Sequence, residues 1–318
     1  MAVLVTGSAG HLGEALMRTL RSRGEPALGV DIKAAPFTDR VASVGDRETM
    51  RSCLRGVDAV VHAATLHKPH VATHSREEFV ATNVHGTLVL LEEAKRAGVR
   101  SFVFISTTSA FGLALTPRPG EPATWITEDV TPIPKNIYGT TKVAAEGLCE
   151  LFARNEGLPA VVLRTSRFFP EEDDNTAIAA TYATANAQVN ELLYRRVDVA
   201  DIVDACFLAV ARAPALRFGR YIISATTPFE REHLARLATD AAAVVRELFP
   251  AHVALYAERE WRMFPSFDRV YVNALARQEL GWRPRHDFAS ALAMLTAKED
   301  FRSRLAQEIG MKGYHAPA

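Results

Sequence analysis

Glycines at positions 7, 10 and 13 constrain this chain more than any other feature. They fall in TGSAGHLG, Thr6–Gly13, which joins a β-rich run, Ala2–Thr6, to the segment His11–Arg23. In that segment Leu12, Ala15, Leu16 and Leu20 recur at helical spacing. The first glycine permits a tight turn, the second lets backbone approach a pyrophosphate, and the third lets the helix lie close on the strand. Free amides and a partial positive charge at the helix N-terminus then face the phosphates. The spacing is G-x-x-G-x-x-G, and strand, turn and helix together read as a dinucleotide site rather than a plain connection. Asp31 follows a second strand, Pro26–Val30. A carboxylate there hydrogen-bonds the adenosine ribose hydroxyls and repels a 2′-phosphate. NAD is therefore expected over NADP, with Lys33 close enough to soften the preference.

Downstream, strand-like runs (Val41–Val44, Val57–Ala64, Ser101–Ser106, Ala160–Arg164, Tyr221–Ser224) alternate with helical ones. The helical runs are Arg47–Leu54, Glu77–Ala97 with Gly98 as its stop, Asn136–Arg154 and Ile202–Arg212. This alternation predicts βαβ units, a parallel sheet and right-handed crossovers. The fold expected is α/β: a doubly wound parallel sheet of the Rossmann type with a smaller, interleaved C-terminal substrate lobe. Residues 1–165 are read as the NAD-binding domain. Residues 166–318 are read as mainly the substrate lobe, with 196–225 returning to the sheet. Within the lobe, Asn175–Arg195 and Arg231–Phe249 are expected to be helical.

Charge and cysteine usage narrow the function. Lys+Arg and Asp+Glu balance at 37 each, so no basic surplus points to nucleic acid. No run of 18 apolar residues predicts a membrane span. The first residues lack the basic region of a signal peptide. Cys53, Cys149 and Cys206 are far apart and read as reduced thiols, which places the protein in the cytoplasm. His62, His67, His70 and His74 lack companion carboxylates or cysteines at ligand spacing, so no metal is expected.

Tyr138-Gly139-Thr140-Thr141-Lys142 places a phenol and an ammonium on one helix face. A neighbouring ammonium stabilises phenolate and is expected to lower the tyrosine pKa from about 10. A tyrosine so tuned exchanges a proton with a substrate hydroxyl while hydride moves to or from a nicotinamide. Ser106-Thr107-Thr108-Ser109 follows a predicted strand, so its hydroxyls stand at the carboxyl edge of the sheet, where open α/β folds bind ligands.

With these residues in hand, the chain resembles the extended short-chain dehydrogenase/reductase superfamily, in its NAD-dependent epimerase/dehydratase branch. The resemblance covers nearly the whole chain. It rests on TGSAGHLG, Asp31, Gly45-Asp46, HAA at 62–64, NVHGT at 83–87, STTSAFG at 106–112, YGTTK at 138–142, RTSRFFP at 164–170, Asp201 and LGWRP at 280–284. It implies that Gly7, Gly10 and Gly13 form the phosphate turn, with the His11 and Leu12 amides near the pyrophosphate. It also implies Asp31 and Ile32 at the adenosine ribose, Asp46 and Arg47 beside the adenine, and Ala63, Ala64 and Thr65 along the middle of the cofactor. Asn83 would order the loops near the nicotinamide half. Thr107 would be the catalytic hydroxyl and Tyr138 the acid/base. Lys142 would hold the nicotinamide ribose and tune Tyr138. Asp46 also reads as an ordinary helix N-cap.

Departures from the family pattern shape the expected reaction. Sugar dehydratases carry acidic residues after the catalytic Ser/Thr, and here Thr108 and Ser109 stand there. Elimination is therefore disfavoured, and Thr108 and Ser109 are expected to meet substrate. Phe111 replaces a common tyrosine. Arg167 stands where an asparagine usually meets the substrate. It fits either an anion clamp or an ion pair to Glu171, Glu172 or Asp173. The insertion Leu113–Val130 reads as a lid over the site or as a loop packed by Trp125. The expected function is an NAD-dependent epimerase acting on a small-molecule substrate, a nucleotide sugar, by reversible hydride transfer. An NAD-dependent dehydrogenase or reductase of a smaller alcohol is the alternative, and a non-enzymatic dinucleotide sensor is the contrasting class. The resemblance also implies a homodimer paired through Glu77–Ala97 and Asn136–Arg154.

Overall fold

Seven strands, all parallel, build the central sheet: β1 (Val3–Thr6), β2 (Ala27–Asp31), β3 (Arg40–Val41), β4 (Ala59–His62), β5 (Ser101–Thr107), β7 (Ala160–Thr165) and β8 (Phe218–Ile223). The computed structural model describes residues 1–168 and 176–312. The strand order is β3-β2-β1-β4-β5-β7-β8. The winding therefore reverses between β1 and β4, and the crevice beyond their carboxyl ends is where such sheets take ligands. β1, β4, β5 and β7 are buried along their whole length. That explains why they read as continuous apolar runs in the sequence.

The pleat sends alternate residues to opposite layers. Val3, Val5, Ala59, Val61, Val103, Ile105, Val161 and Leu163 pack under α1 (His11–Ser22) and the long helix Val199–Leu216. Leu4, Val60, Phe102, Phe104 and Val162 pack under α2 (Arg47–Cys53), α3 (Gly86–Arg96) and α4 (Ile137–Asn155). Among the described residues no helix is long and apolar enough to cross a membrane.

Three predicted helices are broken. Glu77–Ala97 is a short helix, Arg76–Phe79, then a π-turn, Val80–His85, then α3. The extra residue of the π-turn accompanies the burial of Asn83, whose side chain bonds the loop after β4. Asn175–Arg195 divides into Thr176–Thr181 and α5 (Thr184–Leu192), because Ala183 adopts extended backbone and the Tyr182 ring packs edge-on against Phe264 at 4.8 Å. Arg231–Phe249 is interrupted at Asp240, whose carboxylate caps Ala241–Leu248 through the Ala243 amide at 3.0 Å.

A second apolar core gathers Leu192, Leu193, Tyr194, Phe229, Leu237, Val244, Phe264, Phe267 and Phe288. Inside the proline-rich insertion, β6 (Thr124–Ile126) pairs in parallel with β9 (Arg269–Tyr271). Trp125 leans on this second core with the Arg231 guanidinium 5.5 Å above its ring. The insertion is thus tied down by strand pairing and packing, and part of residues 1–165 contributes to the second lobe.

Candidate active site

The phosphate turn is shaped by contacts that only glycine allows. Gly7 has φ +78°, and a Cβ there would lie 2.7 Å from the Ala64 amide nitrogen. A Cβ at position 13 would lie 1.9 Å from the Gly7 carbonyl oxygen. Gly10 caps α1 in extended backbone, and His11 and Leu12 are buried in its first turn. Asp31 faces the same turn, with one carboxylate oxygen accepting from the Ala9 amide at 3.0 Å and the other from the Lys33 amide at 2.9 Å. Ile32 beside it is exposed.

Opposite, β4 delivers Ala63, Ala64 and Thr65 to the edge. The Ala64 amide donates to Thr6 Oγ1 at 3.3 Å. Thr6 Oγ1 lies 2.7 Å from His62 Nδ1, and His62 Nε2 lies 3.0 Å from Thr87 Oγ1. Thr87 donates its proton to the Asn83 carbonyl at 2.7 Å. His62 must then carry its hydrogen on Nε2 and accept at Nδ1. Burial, with Lys142 nearby, pushes its pKa down to about 3, so the ring stays neutral. The Asn83 carboxamide accepts from the Leu66 amide at 2.8 Å and Thr65 Oγ1 at 3.0 Å, and its Nδ2 reaches Leu66 O at 2.9 Å and Thr141 Oγ1 at 3.0 Å. It joins the loop after β4 to the helix of Tyr138. Asp46 and Arg47 also make contacts within the protein. Asp46 caps α2 through Thr49, and Arg47 pairs with Glu92 at 2.5 Å and Glu93 at 3.0 Å.

Asn136 caps α4, its side chain accepting from the Gly139 amide at 3.0 Å, which places Tyr138 in the first turn over the end of β5. The Tyr138 phenol lies beside the Thr107 hydroxyl. Thr107 Oγ1 accepts from the Ser109 amide at 3.0 Å. The expected lowering of the Tyr138 pKa is corrected by the structure. Burial pushes it up to about 12, outweighing the smaller, opposite pull of the Thr107 hydroxyl. Lys142 is itself pulled down to about 7 by burial, against the opposing pull of Glu146. Its ammonium lies 4.0 Å from the Phe104 ring centroid, a cation–π contact in an apolar wall.

Thr108 is buried beside Tyr271 of β9, while Ser109 is exposed. Arg167 approaches Glu191 at 3.6 Å, and Arg195 and Arg196 meet the same fully buried carboxylate at 2.7 and 2.8 Å. The partners proposed for Arg167 at Glu171, Glu172 and Asp173 lie outside the described residues. Three guanidiniums thus converge on this one carboxylate. His67, His70 and His74 stack edge to face at 4.5 and 5.0 Å, and no three metal-ligating side chains among the described residues are placed to hold an ion.

Reading the sequence missed the buried cluster behind Lys142. Glu146 accepts from Ser106 Oγ at 2.5 Å and from Arg164 at 2.7 Å, and the Arg164 guanidinium stacks 4.9 Å above the Phe111 ring. The available signal was a carboxylate four residues past Lys142, on the same helix face as Ala145 and Cys149.

The residues brought together, the glycine cradle against Ala64, Asp31 at the turn, and Tyr138 beside Thr107 near Lys142, agree with the family the chain matches. The model of the NAD dependent epimerase/dehydratase family matches residues 3–223. A UDP-glucose 4-epimerase of Erwinia amylovora is 32% identical over 182 residues, 52% of this chain and 52% of the relative. A dTDP-glucose 4,6-dehydratase of Streptomyces griseus is 32% identical over 192 residues, 54% of this chain and 56% of the relative. The chain thus spans about half the length of these curated relatives. A short-chain dehydrogenase/reductase superfamily protein of Agrobacterium tumefaciens, solved with bound NAD, covers 97% of this chain and 99% of its own at TM-score 0.67 and 24% identity, a likeness of fold. From its phosphate turn to its eighth strand, the chain belongs to the NAD dependent epimerase/dehydratase family.

Proposed function

We propose that this protein is an NAD-dependent sugar-nucleotide epimerase in which Tyr138 is the acid/base, Thr107 holds the reacting oxygen and Lys142 holds the nicotinamide ribose. The observation that carries the reading is the buried Tyr138 phenol standing beside the Thr107 hydroxyl at the carboxyl edge of the sheet, with Lys142 one helical turn away. The cradle fits the dinucleotide, because side chains at 7 or 13 would fill the space that lets the backbone close on it. Gly7, Gly10, His11, Leu12 and Gly13 would hold the pyrophosphate. Asp31 and Ile32 would hold the adenosine ribose, Asp46 and Arg47 the adenine rim, and Ala63, Ala64, Thr65 and Asn83 the middle and nicotinamide half. When bound, NAD accepts a hydride from a carbinol carbon and returns it.

Tyr138 takes the carbinol proton and gives it back, and its high pKa favours the protonated phenol that the return step needs. Thr107, 31 residues upstream in sequence yet beside Tyr138 in space, fixes that oxygen. Thr108 and Ser109 supply hydroxyls rather than acids beside it, which supports epimerisation over elimination. Arg167 would meet the diphosphate of UDP-glucose or dTDP-glucose, the sugar nucleotides named for the relatives, a task a planar guanidinium suits. We further propose a cytoplasmic homodimer paired through Glu77–Ala97 and Asn136–Arg154, where Val80 and Leu151 are exposed. Sedimentation as a monomer at micromolar concentration would overturn the dimer.

Incubation with UDP-glucose and dTDP-glucose, with the sugar products separated by chromatography, tests the reading. The expected result is conversion to the C4 epimer without accumulation of NADH. Stoichiometric NADH would assign net oxidation instead, and no change in either sugar would sink the proposal.

Lys142 carries a second prediction. Its folded pKa is near 7 and its unfolded one near 10.5, so between those values the unfolded chain binds more protons and stability rises with pH. Lys142→Met is expected to stabilise the NAD-stripped protein by about 1–2 kcal/mol at pH 6, shrinking as pH climbs through that window, while turnover is lost. Thermal melts of both proteins from pH 6 to 10 check it; a variant less stable at pH 6 contradicts the assignment.

A further inference from the structure

We propose that Glu146 is a positioning residue for the reaction, one buried carboxylate that sets Tyr138 and Lys142 against Thr107. The inference rests on the functional reading above. Tyr138, Lys142 and Glu146 recur at four-residue intervals and so lie along one face of α4. That face is turned to the sheet, with Lys142 and Glu146 each 1% exposed.

Glu146 holds two strands at once. Its Oε1 accepts from Ser106 Oγ at 2.5 Å and Arg164 Nε at 3.1 Å, and its Oε2 from Arg164 Nη2 at 2.7 Å. Ser106 directly precedes Thr107 on β5, and Arg164 directly precedes Thr165 on β7. Thr165 Oγ1 donates to the Ser106 carbonyl at 3.0 Å, which closes a ring of contacts through α4, β5 and β7. These bonds tie α4 to both strands, so Tyr138 keeps its place beside Thr107 only while α4 keeps its register on the sheet. Misplacement of reacting groups by about 1 Å costs on the order of 100-fold in rate.

Packing alone does not explain a carboxylate here, because an apolar side chain of similar volume commonly replaces a buried ion pair without loss. What the charge adds is reach toward Lys142. Facing Lys142 are the Phe104 ring and neutral His62 from the sheet, Tyr138 and Cys149 from its own helix, and beyond Glu146 the guanidiniums of Arg164 and Arg220. Among these described groups Glu146 is the anion. Burial of Cys149 pushes its thiol well up, so it stays uncharged. Glu146 therefore opposes the burial that would otherwise strip the Lys142 ammonium of its proton.

Glu146→Gln keeps the shape and removes the charge. Lys142 is followed by NMR of protein labelled with ¹³C-lysine and stripped of NAD, its signal assigned by Lys142→Arg. Turnover of the sugar nucleotide is measured against pH in parallel. The expected result is a Lys142 midpoint lower by about one unit or more, kcat lower by about tenfold, and the alkaline limb of kcat moved down with the midpoint. KM stays within about twofold. An unchanged midpoint with unchanged kcat per folded site overturns the proposal. Should Glu146→Gln not fold, Glu146→Asp takes its place. It keeps the charge but shortens the reach, so kcat is expected to fall while the midpoint holds, and a wild-type kcat overturns the proposal. The midpoint is read without substrate. A shifted midpoint in a protein that turns over no sugar nucleotide supports Glu146 and counts only against the assigned activity.

Discussion

Tyr138→Phe is expected to cut turnover of the sugar nucleotide by about 10²–10⁴-fold, the range set by loss of a positioned acid/base. The substitution removes one oxygen from a side chain that is 8% exposed, and the ring keeps its place beside β5. Thr107 beside it still accepts from the Ser109 amide, so the strand end keeps its shape. NAD affinity, measured by fluorescence quenching or calorimetry, is expected to stay within about threefold, because the phenol's task lies at the reacting carbon rather than in cofactor binding. A variant that keeps wild-type turnover would remove the acid/base role. One that loses NAD altogether would move Tyr138 into the binding machinery.

Gly13→Ala is the second large effect. The new methyl would stand 1.9 Å from the Gly7 carbonyl oxygen and 2.8 Å from Ser8 Cα, and both are backbone atoms with no rotamer to yield. α1 must lift from the turn, which opens the distance between the helix amides and the phosphates they would hold. Overpacking of this kind costs about 1–3 kcal/mol. Taken wholly from binding, it weakens NAD by about 5- to 150-fold. Calorimetry against NAD reads this directly, and a denaturant melt of the same variant separates loss of binding from loss of stability. Unaltered NAD affinity would show that the dinucleotide does not lie on this turn.

Much of this was legible because a two-sided parallel sheet writes itself as buried runs. Val3–Thr6, Ala59–His62, Ser101–Thr107 and Ala160–Thr165 needed no partner to be recognised. The phosphate turn was equally plain, since its glycines answer local steric demands. Short strands were harder. Thr124–Ile126 is three residues in a proline-rich stretch, and only its distant partner makes it a strand. The break at Asn83 hides in a good helical pattern, because the polar side chain that forces it is paired with groups far along the chain. Electrostatics were the least legible. The Tyr138–Lys142 spacing suggested a lowered tyrosine pKa, but depth of burial raises it against the smaller, opposite pull of the Thr107 hydroxyl. Arg167 turned out to share Glu191 with two other arginines, a partner that no local reading of the acidic stretch after it would suggest.

The pairing of β6 with β9 bears on how the protein is made. Thr124 and Asp268, linked by a hydrogen bond at the start of that pairing, are 144 residues apart. Strand β8 likewise joins β7 only after the whole of the helix Val199–Leu216. Contacts this distant are slow to close, because chain entropy is lost before they contribute. On the ribosome, the first half of the chain emerges with the sheet edge at β7 still open and β6 without its partner. An uncovered strand edge invites association with other chains. Nascent protein stalled before Arg269 is therefore expected to be a chaperone client, and the two lobes to mature as one late cooperative event.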